Sequence, residues 1–157
     1  MKSIQKQWLG SVPWEAVLSV NQSLCQAQKT EHQPKAKNFE AARQLWERTV
    51  PKAMPLADVL DVCRQCQDIG PFVFNNGNTF ATISKNLIED WASALPAVEA
   101  QIFRTTVSHY VAGQVGKKEL LEVLRHVETR WNRAVAKSNG APAVAPQPQA
   151  QPQPSAR

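Results

Sequence analysis

Apolar residues recur at three- and four-residue spacing along most of the chain, the period of helices that bury one face. The first such segment opens at Ser11-Val12-Pro13-Trp14, where Ser11 is a candidate cap and Pro13 fits a first turn. Val17, Leu18, Leu24 and Cys25 carry its apolar face to about Gln28. Lys29 to Lys37 is polar and broken by Pro34, which reads as a connection. Asn38 offers the next cap, before Phe39, Ala42, Leu45, Trp46 and Val50. After Pro51 and Pro55, the positions Leu56, Val59, Leu60, Cys63 and Cys66 mark a third helix, closed by Gly70-Pro71.

There the helical period gives way. Phe72-Val73-Phe74 and Thr79-Phe80-Ala81-Thr82-Ile83 are aromatic and β-branched, and they bracket Asn75-Asn76-Gly77-Asn78. Such a pattern predicts a small β-hairpin over Phe72–Ile83 with an Asn-Gly turn exposed at its tip. Alternation would turn Phe72 and Phe74 inward, Val73 outward, and Phe80 toward the inner pair.

Helical spacing then resumes. Ser84 is a candidate cap for a segment carrying Leu87, Ile88, Trp91 and Leu95, and Pro96 starts another with Ile102, Phe103, Val107, Tyr110 and Val111. Past Gly113 and Gly116, the last segment has the cleanest period of all, Leu120, Leu124, Val127, Trp131 and Ala134. The reading is a mainly α protein: a compact bundle of five or six helices with one small β-hairpin insertion. Residues 1–10 are expected as a flexible arm, 11–139 as the helical domain, and 140–157 as a disordered Pro/Gln/Ala-rich tail too poor in apolar residues to form a core.

Charge adds a second pattern to the hydrophobic one. The chain of 157 residues carries a formal net charge of +5, with 18 Lys/Arg against 13 Asp/Glu. Residues 1–50 hold seven against four, residues 51–100 three against six, and residues 101–157 eight against three. Basic ends around an acidic middle point first to internal pairing, and otherwise to an anionic partner. Lys117, Lys118, Arg125, Arg130, Arg133 and Lys137 are the candidate nucleic-acid contacts, although Glu119, Glu122 and Glu128 interleave them.

Chemistry is sparse. Cys63-Arg64-Gln65-Cys66 has thioredoxin-like spacing but falls late in its helix, where the dipole disfavours a thiolate, and both sulfurs share the apolar face. Buried, inert thiols are expected. His32, His109 and His126 are far apart and lack a nucleophile signature or zinc spacing, so no catalytic residue, metal or cofactor is assigned. The run from Pro71 to Asn78 is similar, over this short stretch only, to the H-P-F-x-x-G-N-G core of Fic-type nucleotidyl transferases. Gly70 stands where their catalytic histidine would, and Thr79-Phe80 replaces the closing Gly-Arg, so membership does not follow.

Three cysteines and the absence of an apolar leader or a membrane-length apolar run lead to a soluble, cytoplasmic, non-membrane reading. The expected function is non-enzymatic binding or regulation through another protein, with Trp8 as an exposed anchor and Asn75, Asn76 and Asn78 as a polar tip. The alternatives are nucleic-acid binding by the basic C-terminal helix, or a small helical enzyme with a polar site at the Asn-rich turn.

Overall fold

The computed structural model describes residues 3–140, with side chains through residue 138, and in it the apolar stripes converge on one core. Among the described residues there are seven helices: α1 (Trp14–Ala27), α2 (Ala36–Thr49), α3 (Leu56–Ile69), α4 (Asn76–Leu87), α5 (Glu89–Ser93), α6 (Ala97–Val111) and α7 (Lys117–Gly140). A two-stranded antiparallel sheet joins β1 (Gln5–Lys6) to β2 (Met54–Pro55), pairing Gln5 with Pro55 and Lys6 with Met54. The mainly helical class read from the sequence is what the structure shows. The tail expected from residue 140 lies, from residue 141 on, outside the described residues.

The hairpin expected at Phe72–Ile83 is a correction. Residues 71–75 form a loop, and α4 occupies the rest of the segment. The only strand pair among the described residues lies elsewhere, between the start of the chain and the approach to α3. Its physical basis is tertiary. Phe80, Ile83 and Ser84 share one buried face of α4, which packs against α1, α3 and α6. A strand would have sent alternate members of that set into solvent.

Residues 3–10 are docked, where a flexible arm was expected. Trp8 and Leu9 are buried, and the Trp8 indole N–H donates to the Met54 carbonyl at 3.0 Å. Trp8 also meets Trp91 edge to face at 5.1 Å, beneath the Lys6 ammonium at 4.8 Å from its ring. A satisfied N–H removes the usual penalty for burying an indole, so the side chain contributes its full apolar area to the core.

Helix starts also differ in detail from the expected caps. Proline in extended conformation precedes α1 (Pro13), α3 (Pro55) and α6 (Pro96), orienting the chain into the first turn without a side-chain cap. Asn38 lies inside α2, because a backbone bond from Lys35 N–H to the Pro71 carbonyl at 2.8 Å sets where that helix begins. Ser84 lies inside α4 and bonds back to the Phe80 carbonyl at 2.7 Å. Gly70, at φ 70°, ends α3 in the left-handed conformation expected of it.

Aromatic side chains of α1 and α2 gather around the loop before α4 and around α4 itself. Trp14 stacks on Phe72 at 6.3 Å and meets Phe39 edge-on at 5.5 Å, while Trp46 lies 6.0 Å from Phe80. Trp46 donates its N–H to the Val12 carbonyl at 2.9 Å. The Trp14 N–H is buried without a partner among the described residues.

A polar cluster fixes the start of α7 against α3. The Asp61 carboxylate accepts from the Tyr110 hydroxyl and from the Lys117 ammonium, and the Arg64 guanidinium lies 4.8 Å over the Tyr110 ring. Burial first, and then the Asp61 carboxylate, push the Tyr110 phenol from its ordinary 10.0 up to about 12. A group with a raised folded pKa stabilises fully below its unfolded value and loses that contribution as pH rises through the folded one. Tyr110 is the chain's single tyrosine, so phenolate absorbance near 295 nm reports on it alone. The native protein should titrate near 12 and the denatured chain near 10, with stability falling across that interval. A native midpoint near 10 would contradict the burial of this hydroxyl.

Candidate functional site

Two regions hold candidate site residues: the loop that starts α4, and the surface where α5 meets α7. The loop is built by a crossing of two chain segments. Lys35 N–H donates to the Pro71 carbonyl and Val73 N–H to the Gln33 carbonyl at 2.9 Å, placing Pro34 opposite Phe72 in an antiparallel bridge. Asn75 then adopts φ 66°, a left-handed conformation that asparagine tolerates, and α4 begins at Asn76.

The side chains of Asn75 and Asn76 are half-buried and engaged. Asn76 clamps Phe72 from both sides: its carbonyl oxygen accepts from Phe72 N–H at 2.9 Å, and its amide donates to the Phe72 carbonyl at 2.7 Å. Asn75 donates to the Cys25 sulfur at 3.5 Å, and Asn78 donates to Asn75 at 3.4 Å.

Beneath them sits Asn21 of α1, fully buried. Its amide nitrogen donates to the Phe74 carbonyl at 2.9 Å and to Thr79 Oγ1 at 3.0 Å. Its oxygen faces His32 Nδ1 at 2.7 Å and Cys25 Sγ at 3.5 Å. An amide oxygen only accepts, so this arrangement places a proton on Nδ1 of His32. Both donors and both lone pairs of Asn21 are thereby used.

The expected exposed polar tip is therefore a correction. Asn75 and Asn76 are half-buried with their amides engaged, and Asn78 is the exposed one of the three. Phe74, expected as a buried anchor, is 44% exposed, because the turn at Asn75 leaves it pointing away from the core that holds Phe72 and Phe80. Trp8, expected as an exposed anchor, is 4% exposed. Sequence reasoning missed Asn21 and Thr79. A usable signal was present, since Phe80, Ile83, Ser84, Leu87 and Ile88 continue an i, i+3, i+4, i+7, i+8 helical pattern through the supposed hairpin.

The six basic candidates of the last helix divide into two groups. Lys117 pairs with Asp61 at 2.5 Å, and Arg130 shares Glu99 with His126, each at 2.9 Å. These pairs realise part of the internal compensation expected between the acidic middle and the basic end. Lys118, Arg125, Arg133 and Lys137 are exposed and form no ion pair among the described residues. Arg130, Arg133 and Lys137 line a cleft of about 290 Å³ between α5 and α7, floored by Trp91, Ala94, Leu95, Val127, Trp131 and Ala134. Trp91 and Trp131 stack within it at 5.6 Å and 29°. No carboxylate lines it among the described residues.

Cys63 and Cys66 are buried on α3 as expected; burial pushes the Cys63 thiol up to about 12 and the Cys66 thiol up as well. Among the described residues, no group of three His, Cys, Asp or Glu side chains is arranged to hold a metal, and no helix is long and apolar enough to cross a membrane.

The contrast between Asn76 and Phe74 is measurable. Asn76→Ala removes two hydrogen bonds and leaves a loop N–H and carbonyl without those partners, so denaturant unfolding should show a loss of about 1–3 kcal/mol. Phe74→Ala should change stability by less than about 1 kcal/mol, because its ring is already substantially solvated. The reverse ordering would restore the hairpin with an inward Phe74.

Against known proteins, the chain matches no family model, no curated protein and no solved structure.

Proposed function

We propose that this protein acts by binding another protein, and that its contact surface is the α5–α7 cleft. The carrying observation is the uncompensated charge there: Arg133 and Lys137 are exposed and form no ion pair among the described residues, beside the Trp91–Trp131 stack. Indoles next to unpaired cations are the composition of a contact surface, because the rings supply area and the charges supply orientation. A helix dipole accounts for a cation near the end of α7. It does not account for a carboxylate-free cleft with an indole floor.

The Asn-rich loop has the opposite character. Its amides are spent on Phe72 and Cys25, and the polar cluster beneath it is closed on itself. Its role in this reading is to start α4. Three free, buried cysteines fit a reducing compartment, and we place the protein in the cytoplasm on that ground.

Site-specific photo-cross-linking in the full chain, in its own cells, tests the assignment. A photoreactive amino acid replacing Lys137 should give adducts with another protein, and the same group replacing Asn78 should give none. Adducts from position 78 with none from 137 would move the contact surface to the loop.

A further inference from the structure

The charge and shape of the α5–α7 cleft also define the chemistry of what enters it. We infer that the cleft binds an acidic peptide segment carrying an apolar anchor residue, an inference that rests on the cleft being the contact surface. Arg130, Arg133 and Lys137 stand at i, i+3 and i+7, so they form one row along a single face of α7. From Arg130 to Lys137 that row rises about 10 Å at 1.5 Å per residue. In a polyproline II segment, residues three apart return to one face about 9 Å from each other, so carboxylates at that spacing match the row. Between them, one side chain of the peptide reaches the apolar floor at Leu95 and Trp131.

Two features select a peptide over a nucleic acid. Lys118 and Arg125 lie seven residues apart on a different face of α7 from the Arg130–Lys137 row, so the cations do not form one long phosphate track. Trp131 is already stacked on Trp91, which takes up one of the ring faces a base platform would use. Arg130 keeps guanidinium donors beyond the one that meets Glu99, so its ion pair does not withdraw it from the row.

The test uses fluorescence polarisation with the full chain and a dye-labelled hexapeptide, Asp-Glu-Leu-Phe-Glu-Asp, capped at both ends. Comparison probes are Asn-Gln-Leu-Phe-Gln-Asn, which lacks charge, Asp-Glu-Ser-Ser-Glu-Asp, which lacks the anchor, and a short oligothymidylate. The acidic, anchored peptide should bind most tightly, and less tightly as salt shortens the Debye length from about 10 Å at 0.1 M. The double variant R133E/K137E should weaken it by about tenfold or more, and Trp131→Ala should weaken it while reducing the advantage over the anchorless peptide. Lys118→Glu, on the other face, should leave it unchanged.

All three altered charges lie on exposed positions; circular dichroism checks that the variants fold, and Lys137→Gln gives the same readout should the double variant fail to do so. The inference is overturned by absence of binding at millimolar peptide, by equal binding of the uncharged peptide, by tighter binding of oligothymidylate, or by Lys118→Glu acting as strongly as R133E/K137E. Cross-links from position 137 together with a silent acidic peptide would sink the partner chemistry alone. Absence of both would sink the cleft as a contact surface.

Discussion

The rest of this structure depends on the burial of one amide. Asn21 is fully enclosed, and an amide placed there without partners would cost about 1–3 kcal/mol. Four partners remove that cost, and they come from four places in the chain: α1 itself through Cys25, the connection after it through His32, the loop through the Phe74 carbonyl, and α4 through Thr79. Satisfying this one group therefore fixes where α4 begins relative to α1. Because α4 packs against α1, α3 and α6, its starting point sets the register of the core. The left-handed Asn75 and the Asn76 clamp on Phe72 serve the same end, turning the chain sharply enough for Thr79 to reach Asn21.

Much of the architecture was legible in the sequence. The apolar spacing of Leu56, Val59, Leu60, Cys63 and Cys66 is the buried face of α3, and Leu120, Leu124 and Val127 are the buried face of α7. Gly70 could be read as a stop because helix ends accept a left-handed residue at little cost there. The stretch after it was misread because local composition and tertiary demand disagree. Asn-Gly among aromatic and β-branched residues is a hairpin signal on its own, yet Phe80, Ile83 and Ser84 need a common face. That Asn21 reaches the Phe74 carbonyl and Thr79 was not legible, since those partners lie 53 and 58 residues away and belong to no recognisable motif. Trp8 was read as exposed because its neighbours show no period; its partner, the Met54 carbonyl, is also a long-range one.

A division of labour follows between the two ends of the molecule. Around Asn21, polar groups are buried and saturated by one another, a condition that favours one fixed arrangement and leaves no capacity for a ligand. Along the last turns of α7, Arg133 and Lys137 stand in solvent with no carboxylate partner among the described residues, beside a pair of indoles that is itself anchored, through Trp91, to Trp8. The docked N-terminal segment thus supports the surface proposed for recognition. In this account the first tryptophan of the chain positions that surface without touching a partner.

Native-state hydrogen exchange across α4 tests the central claim most directly. If the Asn21 cluster seats α4 in the core, the amides of Phe80 to Ser84 exchange only when the whole domain opens, at the same free energy as the most protected amides of α1 and α3. Exchange of those amides through a separate, cheaper opening, with α1 and α3 still protected, would show that α4 is not the element on which the rest is organised.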